Sequence, residues 1–429
     1  MKRLHSVHLK HFKNTENSPC EKLPLPNKVK IPMSMHMGAP CTPLVKVGEE
    51  VFVGTKIGDT EAFMSAPIHS SVSGKVKAIT DYTLANGRTC KAVEIEPDGN
   101  QTLDSNIKPI ELTDKSNFIK AVRESGAVGL GGAGFPTHIK LNPKTSIDTL
   151  VVNGAECEPY ITVDDRLMLE DAKSIVEGIK MIIKVCGIEK SVIGIESNKP
   201  KAIQLLKELT ADYEEISVCQ VPSTYPQGAE KVLIYSTTGR IVAEGELPSD
   251  QSVIVMNVSS IAFLYSYFQT GIPLISRNVT VDGSAIGKPC NVTVPIGTPI
   301  IDVLNYAKAD VDSINKLILG GPMMGMCAYS MDTPITKTNN AILGLNDYVT
   351  PVTTDCIKCG RCLRACPLDL MPTELETAYK TKNIPLLQKL KVNLCMNCGC
   401  CTYVCPAKRP LAETNQLAKM LLPKPAPKK

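Results

Sequence analysis

The chain has 429 residues, 43% hydrophobic and 21% charged, with a formal net charge of +4. That length exceeds one ordinary domain, and so small a charge excess, with no Trp and only 4% aromatic residues, argues against a nucleic-acid binder. The seventeen cysteines follow a basic start, MKRLHSVHLKHFKNTENSPC, that has no apolar leader, so they are expected to be reduced thiols in a cytoplasmic setting rather than a secreted disulfide framework.

Residues 36–97 read as β-rich: VKVGEEVFVGTKIGD alternates apolar and polar positions between glycines, and APIHSSVSGKVKAI adds a second strand pair. The stretch resembles the barrel-sandwich hybrid fold of biotinyl and lipoyl carrier domains. Glu61-Ala62-Phe63-Met64 offers no acceptor lysine at the tip, so the expectation is a docking domain without a prosthetic arm. From 115 to 270 apolar strands alternate with amphipathic helices, as in DTLVVNGAE followed by LEDAKSIVEGIKMIIKVCG, which implies an α/β sandwich with a largely parallel sheet. Val253 to Phe268, broken by Asn257, Ser259, Ser260 and Ser266, reads as a buried strand entering a helix, not as a membrane span. Residues 271–350 return to short strands with one helix and the turn Gly320-Gly-Pro-Met-Met-Gly325, read as a small α+β module whose methionines pack in the core. The expected division is 1–110, 111–270, 271–350, 351–415 and a disordered basic tail at 416–429.

The last module is the most specific. Cys356, Cys359, Cys362 and Cys366, then Cys395, Cys398, Cys401 and Cys405, each follow C-x2-C-x2-C-x3-C-P, the bacterial ferredoxin run present twice. Three closely spaced thiolates grip one cubane, and the fourth serves the other. The expected sets are Cys356, Cys359, Cys362 with Cys405, and Cys395, Cys398, Cys401 with Cys366, holding two [4Fe–4S] clusters. Cys400 falls out of register and is expected to be unligated. Structural zinc sites use well-separated CxxC pairs and fit less well. Such a module carries electrons, so it needs a source and a sink.

A glycine-rich loop, Gly129-Leu-Gly131-Gly132-Ala-Gly134-Phe135, precedes Lys140, and the next strand ends in Asn153-Gly-Ala-Glu156-Cys-Glu158-Pro159. Each alone could be an ordinary turn or an acidic loop. Joined with Tyr225-Pro-Gln-Gly228-Ala229-Glu230 and Met256-Asn257-Val-Ser-Ser260, they resemble in order the flavin- and NADH-binding subunit of respiratory complex I and related hydrogenases. The resemblance implies a noncovalent FMN lined by the four glycines, Lys140, Asn153, Glu156, Asn257 and Ser260. It also implies NAD(H) facing Phe135, Glu158, Tyr225 and Glu230, with Glu158 as the catalytic carboxylate. Ala229 and Met256 depart from the family pattern.

Over nearly the full chain, His36-Met-Gly38-Ala-Pro40, Ser65-Ala-Pro67-Ile-His69, the GGPMMG turn and the double cysteine motif resemble the C subunits of the Rnf family of membrane-bound NADH:ferredoxin oxidoreductases. That implies a complex-I-flavoprotein-like α/β domain, a β-grasp module and a ferredoxin-like domain beside the sandwich. It also implies electron flow from NADH through FMN and both clusters to partner subunits, coupled to Na⁺ or H⁺ movement elsewhere in the complex. The partners would include a ferredoxin-like subunit and integral membrane subunits, with peripheral attachment at the cytoplasmic membrane face. A soluble flavin–cluster reductase, such as a cobalamin reductase, shares the glycine loop and cluster modules but usually carries the sandwich elsewhere in the chain.

Overall fold

The computed structural model describes residues 4–85 and 87–423. Its centre is a four-stranded, all-parallel sheet in the order Ile216–Val221, Lys190–Glu196, Thr149–Gly154, Val253–Asn257. The helix Ala172–Cys186 shows why these segments fold so. Ile175, Val176, Ile179, Ile182 and Ile183 recur at helical spacing and are buried, Asp171 caps the first turn, and Gly187 ends the helix with φ 67°. Each such isoleucine removed from water contributes about 1.5–3 kcal/mol before entropy is charged. The apolar run from Val253 divides as expected into the strand Val253–Asn257 and the helix Val258–Thr270.

The first strand of this sheet, Thr149–Gly154, lies between the second, Lys190–Glu196, and the fourth, Val253–Asn257, so the chain winds in opposite directions on its two sides. In open α/β sheets ligands bind beyond the strand C-termini at such a switch point. Here the two flanking ends are Asn153 and Asn257, which face each other in register.

The sandwich is a four-stranded antiparallel sheet (Val29–Pro32, Thr89–Pro97, Gly74–Thr83, Glu50–Val51) with a three-stranded one (Thr42–Pro43, Lys56–Asp59, Ile68–His69). Val29, Ile31, Ile57, Ile68, Val76, Val93 and Ile95 fill its core. The third sheet is mixed and has six strands, with the helix Ile300–Tyr306 and a core of Val279, Val281, Val292, Val303 and Leu304. In the last module the short helices Arg361–Ala365 and Cys400–Tyr403 follow the two cysteine loops, and Pro372–Lys380 packs on Leu411–Met420. A buried ion pair, Arg409 with Glu376, fastens this module.

Two expected boundaries move. The N-terminal segment does not stay with the sandwich: Cys20–Lys22 is an edge strand of the six-stranded sheet, parallel to Cys290–Pro295, and Val7 bridges to Tyr225. At the other end, the helix Leu411–Met420 runs past the expected tail start at 416; residues 424–429 of that tail lie outside the described residues. No helix among the described residues is long and apolar enough to cross a membrane.

Candidate functional site

The glycine loop stands over the switch point. Gly129 N–H donates to the Phe135 carbonyl at 2.9 Å, closing the loop, and a Cβ on Gly131 would lie 3.5 Å from Asn257. Gly132 has φ 109° with open space beside it, a backbone that glycine alone adopts freely. Leu130 N–H donates to Ser260 Oγ at 3.0 Å, which is why a hydroxyl residue there suffices. Gly134 accepts from Met37 N–H at 2.8 Å, so the sandwich entry segment touches the loop.

Lys140 Nζ donates to the Val255 carbonyl at 2.9 Å and reaches Glu230 at 3.2 Å, beside the fourth strand. Asn153 is braced through Nδ2 on the Gly228 carbonyl at 2.9 Å and through Oδ1, which accepts from Ala155 N–H at 3.1 Å. Asn257 donates to Asp164 at 2.7 Å and caps the following helix through Ser259 N–H. Glu156 is buried and accepts from the Asp164 and Asp165 N–H groups at the start of the helix Val163–Glu170. Burial pushes its pKa up to about 7, against the pull of Lys13 and Lys199.

Glu158 and Tyr225 both reach neighbouring modules. Both Glu158 carboxylate oxygens accept backbone N–H groups, from Met323 at 3.1 Å and Met324 at 2.9 Å, inside the GGPMMG turn. A Cβ on Gly321 would sit 2.3 Å from Glu158 Oε2, so that glycine is required by the grip. Burial raises the carboxyl to about 7, and the two amides pull it down. The methionines of the turn do not pack in the core as expected: Met324 is 53% exposed, and Met323 abuts Gly399 of the second cysteine loop. Tyr225 is buried, and its hydroxyl donates to the Cys398 carbonyl at 2.7 Å. Both residues join the α/β domain to its neighbours.

Cys366, Cys395, Cys398 and Cys401, one of the two expected crossed sets, line one small cavity together with Cys400. Cys362 shares a packed cluster with Cys405 and lies within electrostatic reach of Cys356 and Cys405, members of the other set. Cys400 is buried with its thiol toward the Tyr225 carbonyl at 3.9 Å, outside both sets. Sequence reasoning missed Asp164, Lys13, whose ammonium donates to the Glu156, Glu158 and Ile161 carbonyls, and Arg277, which donates to the Leu130 carbonyl. The doubled acid Asp164-Asp165 just after the acidic loop was the one available signal.

The Nuo51 FMN-binding domain model matches residues 122–266, the RnfC barrel sandwich hybrid domain model 4–100, and the 4Fe-4S dicluster domain model 355–408. The cofactors are accordingly FMN and [4Fe–4S] clusters, for which the glycine cradle and the paired thiol sets are fitted. A solved NAD+-reducing [NiFe]-hydrogenase in the air-oxidized state superposes with a TM-score of 0.52 at 16% identity, over 72% of this chain and 63% of that one, a likeness of fold. The C subunit of the proton-translocating ferredoxin:NAD(+) oxidoreductase complex of Clostridium ljungdahlii is 43% identical over 85% of this chain and 81% of its own. Its Na(+)-translocating counterpart from Acetobacterium woodii is 42% identical over 84% and 82%. The C subunit of the ion-translocating oxidoreductase complex of Rhodobacter capsulatus is 36% identical over 97% and 82%. At 36–43% identity over most of each chain, the chain belongs to the family of C subunits of the Rnf ion-translocating ferredoxin:NAD(+) oxidoreductase complexes.

Proposed function

We propose that the chain accepts hydride from NADH and passes the electrons through its two clusters to other subunits of an Rnf complex, reversibly. The observation that carries this reading is the buried Tyr225–Cys398 hydrogen bond, because it joins the flavin-side domain to a cluster loop without intervening solvent. Bound FMN supplies the conversion between hydride chemistry and single-electron chemistry. The glycines at 129, 131, 132 and 134 give the backbone close approach to it, with Lys140, Asn153, Glu156, Asn257 and Ser260 as its polar surround. Phe135 and Glu230 border the nucleotide. Glu158 acts as a positioning residue, since the turn it grips lies against the cluster loop.

The order of transfer follows from the packing. The thiols 395, 398, 401 and 366 belong to the near cluster, and Cys356 and Cys359, on an exposed segment, to the far one. Partners would be a ferredoxin-like subunit at that far end and integral membrane subunits, with the chain held peripherally at the cytoplasmic face; the absence of a spanning helix among the described residues agrees with this attachment. The test is anaerobic reconstitution followed by NADH oxidation with an artificial acceptor. Bound FMN with about eight irons and NADH turnover support the reading. Turnover that is independent of FMN contradicts it.

A further inference from the structure

We propose that the two loops of the flavin and nucleotide site are set by two cations supplied from outside the α/β domain, Lys13 and Arg277, which act as positioning residues. This rests on the reading above for what the loops bind, but the contacts themselves stand apart from it. Lys13 comes from the N-terminal segment, and its ammonium donates to the Glu156 and Glu158 carbonyls, each at 2.9 Å, and to the Ile161 carbonyl. Three carbonyls of one six-residue loop therefore converge on one charge. The neighbours of Lys13 reinforce the grip: the Phe12 and Tyr160 rings stack with centroids 4.9 Å apart, and Tyr160 N–H donates to the His11 carbonyl at 2.9 Å. Tyr160 holds φ 71°, a left-handed backbone that a tyrosine keeps only where its surroundings impose it.

Arg277 comes from the strand Ser276–Asp282 of the six-stranded sheet and is buried. Its Nη2 donates to the Leu130 carbonyl at 2.9 Å, and its Nε to the Asn339 carbonyl at 3.1 Å. With Leu130 N–H on Ser260 Oγ, both polar groups of that residue are held, while Gly131 and Gly132 beside it remain exposed. A planar, permanently charged fork suits a fixed link between two carbonyls, which lysine reproduces only in part. Turning the carbonyls onto cations commits the backbone of each loop before any ligand arrives, so less ordering is left for binding to supply. Glu156 and Glu158 then have their carboxylates fixed by other elements while Lys13 fixes their backbone, so the acidic loop is held from both sides.

The experiment uses the full chain reconstituted anaerobically, as wild type, Lys13→Met, Lys13→Arg, Arg277→Met and Arg277→Lys. FMN affinity is read by flavin fluorescence, and KM and kcat for NADH by acceptor reduction. Hydrogen exchange of 129–135 and 155–162 is followed in cofactor-free protein. Lys13→Met, through Glu156, and Arg277→Met, through the glycine loop, should each weaken FMN about tenfold with iron content unchanged. Each should speed exchange only in its own loop, with the charge-conserving variants in between. If a methionine variant fails to fold, the Arg or Lys variant carries the test, because partial weakening with the matching local exchange is still expected. Wild-type affinities, or exchange changes spread over the whole chain, would overturn the proposal. Absence of FMN binding by the wild type would sink the functional reading, and the exchange pattern would still decide the positioning role.

Discussion

The cluster module and the flavin site are built on opposite plans. Eight thiols of the module sit in two runs spanning 356–405, so nearly everything that holds its cofactors is local and repeated. The flavin site draws its walls from four directions: loops of the α/β sheet, the sandwich through Met37, the six-stranded sheet through Arg277 and the Glu158-bound turn, and the N-terminal segment through Lys13. The difference predicts that the flavin site depends on its docked neighbours more than the cluster site does.

The sharpest way to break the comparison is at the crossed ligand. Cys366→Ser should remove about four of eight irons, and the signal lost should belong to the cluster of Cys395, Cys398 and Cys401. Losing the Cys356 cluster instead, as read by electron paramagnetic resonance of single and paired variants, would show the two runs to be self-contained. Next in size, Arg409→Met leaves Glu376 with Lys380 as its remaining cation and releases the Thr354 carbonyl just before the first cysteine loop. It should cost about 1–2 kcal/mol of module stability, measured as earlier cluster bleaching on denaturant titration, with the α/β transition unmoved.

Glu158→Gln tests the turn. The carboxyl is raised from 4.5 to about 7, so the native state holds its proton more tightly than the unfolded chain. Its contribution to stability is full below about 4.5 and is lost as pH rises through about 7. Glutamine should flatten that decline by at most about 1.4 kcal/mol per pH unit; an unchanged stability–pH profile would remove Glu158 from the buried grip. The smallest effect is at Asn257→Ala, which deletes a helix cap worth about 1 kcal/mol and frees Asp164 from one partner. The α/β melting transition should fall slightly while iron content stays constant.

The same contrast explains what was legible beforehand. Cysteine spacing marks the candidate thiols because each run is short and local. The alternation of strands and helices was legible too, since glycines and apolar periods mark elements such as Ala172–Cys186 one at a time, whereas the strand order was not. Lys13 and Arg277 were not, because their partners are backbone carbonyls, which leave no trace in residue type and lie 143 to 148 residues away. The strand Cys20–Lys22 falls on the sandwich side of the expected boundary for the same reason, as its partner begins at Cys290. Glu158 was legible as part of a motif, but its binding to the turn depends on Gly321, and a glycine's missing Cβ signals room without saying for what.

The most direct measurement is anaerobic stopped-flow mixing of NADH with the reconstituted chain, following flavin and cluster absorbance together. The account predicts flavin bleaching first and cluster bleaching after it in the wild type, with flavin bleaching retained and the cluster phase diminished in Cys366→Ser. Cluster reduction by NADH in FMN-free protein, or flavin reduction that never reaches the clusters, would contradict it.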